Sequence, residues 1–176
     1  MDRFIWIFLF LLSFPLSAQV KWLGMEQAVD LQQTQPKKLL IFFSDSSCES
    51  CKIMLKKTFN HPEILSIIEE KFYPVLIDVK SPESISAFGK KFSGVSESPN
   101  SQAQKHEFSQ FLNITSLPSL IFTDEQSMPL TTIQGSLSPK ELEPYLSFFG
   151  SGEYEKINSK QNWEQQRKKF RSRIRE

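Results

Sequence analysis

Apolar positions along this chain recur in two periods, and their alternation sets the first reading. From Met25 to Gln33 they fall at Met25, Ala28, Val29 and Leu31 before Pro36, the spacing of a short amphipathic helix. Lys38 to Ser44 then holds five apolar residues in a row, Leu39 to Phe43, which predicts a strand buried on both faces. After Asp45, Ser46 and Ser47 a helical stretch runs from Cys48 to about Phe59, and Pro62 opens a further helix through Ile64, Leu65, Ile67 and Ile68. Phe72 to Asp78 is a second apolar strand. Helix, strand, helix, strand in that order calls for a parallel pair of strands joined by a crossover helix.

The pattern breaks between Ser81 and Ser101, where seven serines and two prolines leave only scattered apolar residues. Within this stretch Ile85, Phe88, Phe92 and Val95 flank Gly89-Lys90, a turn around which a small hairpin fits. Helical spacing resumes from His106 to Leu112, and Pro118 precedes a strand from Ser119 to Thr123. A turn at Asp124 to Ser127 leads to a strand around Thr131 to Gln134. Ser138, Pro139 and Glu141 supply an N-cap, a first-turn proline and a capping-box acid for a last helix ending near Phe149, with Pro144 expected to bend it.

Composition narrows the class. With 176 residues, 39% hydrophobic, sixteen Phe and a net charge of +1, the chain can bury one ordinary core, and near-neutral charge weighs against nucleic-acid binding. The charge is unevenly placed: residues 160–176 carry seven basic and two acidic side chains, with Trp163, Phe170 and Ile174 at helical spacing. That tail reads as a terminal helix, solvated or folded back on the domain, and as separable from the chemistry. Its sharper alternative is weak docking to an anionic membrane surface or an acidic partner.

The first residues have the layout of a secretory signal peptide. Arg3 precedes an apolar run from Phe4 to Leu12, followed by Pro15 and the small residues Ser17 and Ala18, with cleavage expected after Ala18. A membrane anchor needs roughly 20 apolar residues, and this run meets Pro15 early. The expected organisation is a signal peptide over 1–18, a domain over 19–150 with an insertion at about 81–101, and a basic amphipathic tail over 151–176. The expected location is periplasmic or secreted, where a thiol pair can be oxidised and reused.

The chemistry rests on the two cysteines, Cys48 and Cys51, the whole complement of the chain. They sit three apart, directly after a buried strand and at the start of a helix. Unpaired N–H groups and the helix dipole there lower the pKa of the first thiol from its free value of about 8.5. Cys48 is then the attacking group, and Cys51, one turn later, resolves the mixed disulfide. A structural disulfide is the competing reading, but so short a loop removes little unfolded-state entropy. Two cysteines do not make a zinc site, no His stands at finger spacing, and no cofactor is expected.

At these residues the chain resembles the thioredoxin superfamily, over roughly Trp22 to Phe149. The likeness rests on the strand Leu39 to Ser44, the pair Cys48 and Cys51 followed by Lys52, and the run Phe111 to Ser119 that contains Pro118. The resemblance implies an α/β thioredoxin fold, a central mixed sheet flanked by helices, here with an inserted β-hairpin and a C-terminal helical tail. It implies that Pro118 is a cis-proline packed against the disulfide and that the backbone of Leu117 pairs with a substrate chain. More narrowly, the Phe-Gly-Lys-Lys-Phe stretch, the His-Glu after it and the tail from Gly152 are similar to exported thioredoxin-like proteins of Bacteroidetes. The implied partners are protein thiols or disulfides and an electron donor or acceptor of unassigned identity.

The sequence departs from that family at three positions. Ser47 stands where an aromatic usually precedes the first cysteine, Glu49-Ser50 replaces Gly-Pro between the pair, and Phe42 replaces a buried acid on the preceding strand. Glu49 opposes a thiolate at Cys48 while Lys52 and the helix end favour it. Loss of the buried acid removes the group that would take the Cys51 proton. The expected activity is an exported thiol-disulfide oxidoreductase, the alternative a binding module with a static Cys48–Cys51 bridge. His61 and His106 read as surface residues, and Asn113-Ile114-Thr115 is a glycosylation sequon that would be idle in a bacterium.

Overall fold

In the computed structural model, residues 19–95, 105–157 and 171–175 are described. The expected signal peptide and most of the basic tail, with Trp163 and Phe170, lie outside them.

Strand β1, Lys38–Ser44, is buried along its whole length and forms the middle of a four-stranded mixed sheet. Its apolar run pairs in parallel with β2, Phe72–Asp78, and antiparallel with β5, Ser119–Thr123, while β6, Pro129–Gln134, closes the far edge against β5. The order across the sheet is β2-β1-β5-β6. Because side chains alternate across a strand, Leu40 and Phe42 enter one hydrophobic layer and Leu39, Ile41 and Phe43 the other. This is why an uninterrupted apolar run was needed there.

On the first face lie α2, Glu49–Ile53, continued by a wider π turn over Met54–Thr58, then α3, Pro62–Lys71, and α5, Pro139–Gly150. Phe42 meets Phe59 edge-on at 4.9 Å between ring centroids and Trp22 at 5.8 Å, so aromatic contacts fasten the π turn to the sheet. The opposite face carries α1, Met25–Thr34, a hairpin of β3, Ile85–Ala87, and β4, Lys90–Phe92, and α4, Glu107–Phe111. The sheet's outer edge at β2 is covered by Leu23, which exchanges backbone hydrogen bonds with Pro74 and Leu76.

The hairpin pairs β3, Ile85–Ala87, with β4, Lys90–Phe92, so its turn residues are Phe88-Gly89, one position before the expected Gly89-Lys90. Both have positive φ, 53° and 69°. A phenylalanine rarely adopts that conformation, but here its ring stacks on Phe108 at 5.9 Å and meets Phe111 at 6.1 Å.

Two further expectations change. His106 is fully buried rather than solvated: its Nδ1 accepts the Phe108 N–H at 3.1 Å, capping α4, and its Nε2 lies 2.7 Å from the Glu83 carbonyl. His61 is half-buried as the residue preceding α3. At the C-terminus, residues 171–175 have no regular secondary structure, and Ile174 is buried in the same layer as Leu142 and Leu146. The Arg173 N–H donates to Glu143 Oε2 at 3.1 Å, and Ser147 Oγ donates to the other oxygen at 2.9 Å. Glu143, on α5, is thus a buried carboxylate satisfied by the returning chain.

Candidate functional site

Asp45 ends the buried strand β1 and organises the bend into α2. Its Oδ1 accepts the Ser47 hydroxyl at 2.6 Å and the Ser47 N–H, an Asx turn, while its carbonyl accepts the Cys48 N–H at 3.1 Å. The Ser47 hydrogen bonds, with Lys80 alongside, hold the Asp45 carboxyl below the usual carboxylate range. The chain is thereby turned so that Cys48 becomes the N-cap of α2.

Cys48 and Cys51 form a disulfide, their Cα atoms 5.2 Å apart. Cys48 is half-buried at the rim, whereas Cys51 is fully buried in the core layer with Phe42 and Met54. The Cys51 N–H donates to Cys48 Sγ at 3.1 Å, and Ser50 Oγ lies 3.5 Å from the same sulfur. An N–H already aimed at the sulfur stabilises a thiolate there once the bridge is reduced, which a buried sulfur in apolar surroundings does not enjoy. The arrangement therefore separates a sulfur at the rim that receives an N–H from a sheltered one. Glu49 and Lys52 are both exposed and pair with each other at 3.3 Å.

Facing Cys48 across a groove of about 500 Å³ is the loop that leads into β5, with Thr115, Ser116 and Leu117 in its wall. The Leu117-Pro118 bond is cis, and Pro118 is buried. Leu117, half-buried, packs against both hydrophobic layers. Of the four residues singled out from the sequence, Cys48 and Leu117 line this groove, Cys51 is bonded to the first and Pro118 follows the second.

Several contributors to the site were not singled out. Gln134, at the end of β6, accepts at a single Oε1 from the N–H groups of Thr115 and Ser116 at 3.2 and 3.0 Å and from their hydroxyls at 2.8 and 3.0 Å. With the Gly135 N–H donating to the Pro118 carbonyl at 2.8 Å, β6 fixes the loop from behind. Lys80 pairs with Asp45 at 3.1 Å and donates to Ser47 Oγ at 3.1 Å beside the bridge. The Asp45-Ser46-Ser47 sequence carried an Asx-turn signal, but no local pattern links Gln134 or Lys80 to cysteines so distant in the chain.

A mixed sheet of this order, a helix capped by the first of two cysteines three apart and a cis-proline loop facing them together define a thioredoxin-like protein. The sequence profile of the thioredoxin-like domain family matches residues 25–150, and the chain belongs to that family. Among solved structures, a thioredoxin-fold protein from Helicobacter pylori superposes with a TM-score of 0.62 at 19% identity, over 77% of this chain and 82% of its own. A thioredoxin from Thermus thermophilus does so with a TM-score of 0.59 at 15% identity, over 81% and 99%. At such identities the likeness speaks to the fold. No curated protein sequence matches the chain.

Proposed function

We propose that this protein is an exported thiol-disulfide oxidoreductase in which Cys48 exchanges with protein thiols or disulfides and Cys51 resolves the intermediate. The observation that carries the reading is the asymmetry of the pair: one sulfur at the rim receives a backbone N–H, and the other is sealed beneath it. In the reducing direction, the Cys48 thiolate attacks a substrate disulfide. A Cys48–substrate S–S bond forms as the substrate bond breaks, and one substrate thiolate leaves. Deprotonated Cys51 then attacks Cys48 Sγ, closing the intramolecular bridge and releasing the second substrate thiolate. The protein is oxidised by two electrons and the substrate reduced by two. Phe42 offers no group to accept the Cys51 proton, so water entering the groove takes it. Leu117 supplies backbone hydrogen bonds to the substrate chain beside Pro118. Export is supported by the charged, apolar and small-residue segments of residues 1–18, and fractionation of cells with detection of a chain starting at Gln19 tests it.

Trapping tests the roles. Cys51→Ser should accumulate mixed disulfides with partner proteins, since the bond at Cys48 can form but not be resolved, and Cys48→Ser should not. Equal trapping by the two variants on diagonal gels, or none by either, would reject the assignment, and a bridge that resists strong dithiol reductant would leave only a static binding module.

A further inference from the structure

Electrostatics at the groove give a substrate class. Alongside Cys48, Val79 and Leu117, its lining carries hydroxyls and ammonium groups: Ser47, Ser50, Thr115 and Ser116 supply the first, Lys80 and Lys105 the second. Asp45 is the acid in the lining, but its side chain is only 10% exposed and its oxygens are engaged by Ser47 and Lys80. Lys80, by contrast, is 53% exposed, and an ammonium with donors on Asp45 and Ser47 keeps a third for a ligand. Lys105 is exposed and its ammonium has no partner among the described residues. Glu49, the nearest other acid in sequence, is paired to Lys52 and does not line the groove. Among the described residues that line the groove, the charge left for a ligand is therefore positive.

We propose that this groove selects peptide disulfides whose reacting cysteine is flanked by acidic residues, with Lys80 and Lys105 as the specificity-determining groups; this rests on Cys48 being the attacking sulfur. The carboxylates of such a peptide lie along the ammonium side while the hydroxyls bond its backbone and side-chain polar atoms, and the exchange itself is unchanged. Each exposed ion pair favours the acidic peptide over a neutral one by up to about fivefold, and a basic peptide is disfavoured by repulsion.

The test uses the full chain, reduced with dithiothreitol and desalted. Two single-cysteine peptides are made as disulfide homodimers, identical except for two flanking Glu or two flanking Lys residues. Second-order rate constants for oxidation of the protein are measured with each, and with the uncharged disulfide 2,2′-dithiodipyridine. The expected result is a preference for the acidic peptide of about tenfold or more at low salt, falling toward unity at 1 M salt, where the Debye length is about 3 Å. Lys105→Glu should lower or reverse the preference, each peptide rate being normalised to the same variant's rate with dithiodipyridine so that any change in Cys48 reactivity cancels. Lys80→Gln, which removes the charge but keeps a donor, should lower the preference too. A ratio near one in the parent, or a ratio untouched by both substitutions, would overturn the proposal; the second result would place the preference in charges other than these two lysines. If dithiodipyridine also fails to oxidise the pair, the oxidoreductase reading itself has failed, and the proposal with it.

Discussion

At the scale of single residues, the site depends on groups that touch no sulfur. Gln134 holds Thr115 and Ser116 through one oxygen, and those two residues form the wall opposite Cys48. Gln134→Ala leaves two backbone N–H groups and two hydroxyls to find water. Four donors sharing one acceptor do not add, so a stability loss of about 1 kcal/mol is the appropriate scale. The functional loss should be larger and selective. With the loop unpinned, kcat/KM for a peptide disulfide should fall about tenfold, because a displaced wall misaligns the bound chain. Alkylation of Cys48 by iodoacetamide, which needs no groove, should keep its rate and pH midpoint. Gln134→Glu retains the acceptor and should restore most of the loss. If alkylation and peptide exchange fall together in Gln134→Ala, the residue supports the fold rather than the loop.

At the scale of elements, local chemistry is sufficient in some places and not in others. The last helix begins as its sequence dictates: Ser138 Oγ accepts the Glu141 N–H, and Glu141 accepts the Ser138 N–H at 2.8 Å. Ser138→Ala should cost about 1 kcal/mol in urea unfolding at pH 7. The Ser138 N–H and hydroxyl lower the folded-state pKa of Glu141, so the carboxylate's contribution is full above its unfolded pKa and is lost as pH falls through the folded value. The gap between parent and Ser138→Ala should narrow over that acid range, and a gap independent of pH would assign the cap to the serine alone. Strands β1, β2 and β5 were equally legible, because a two-sided burial leaves an unbroken apolar run with polar ends. The hairpin turn was not, since a cluster of Phe rings outweighs the backbone preference against positive φ at Phe88. His106 was misread because Lys105 and Glu107 beside it look solvated; only the tertiary fold brings the Glu83 carbonyl to its ring. The Cys48–Cys51 bridge and the cis Leu117-Pro118 bond were legible because one short motif and one loop carry them, while Gln134 and Lys80 reach the groove through sheet pairing and loop packing alone.

At the scale of the whole molecule, the basic tail is expected from sequence to be separable from the chemistry, and its last described residues, 171–175, contribute to the core. Ile174 is 9% exposed within the layer formed by α3, α5 and the sheet, and the Arg173 N–H completes the shell of the buried Glu143 carboxylate. Removing residues 171–176 therefore does two things: it opens an apolar site on α5 and returns one oxygen of a buried charge to whatever water can reach it. Ile174→Ala isolates the first effect and should cost about 2 kcal/mol, the lower end for truncating a buried isoleucine, since a site near the chain end can relax or hydrate. Deletion should cost more than Ile174→Ala. In urea titrations both should lower the midpoint with an unchanged slope, as expected when stability falls without a change in the surface exposed. Redox exchange at Cys48, measured well below the new midpoint, should stay within about twofold of the parent, small against the loss of orders of magnitude that follows removal of a catalytic group. An unchanged midpoint in the deletion would mean that the terminal residues leave the domain in solution. A fall in exchange rate at full folding would instead mean that the tail reaches the groove beside Cys48.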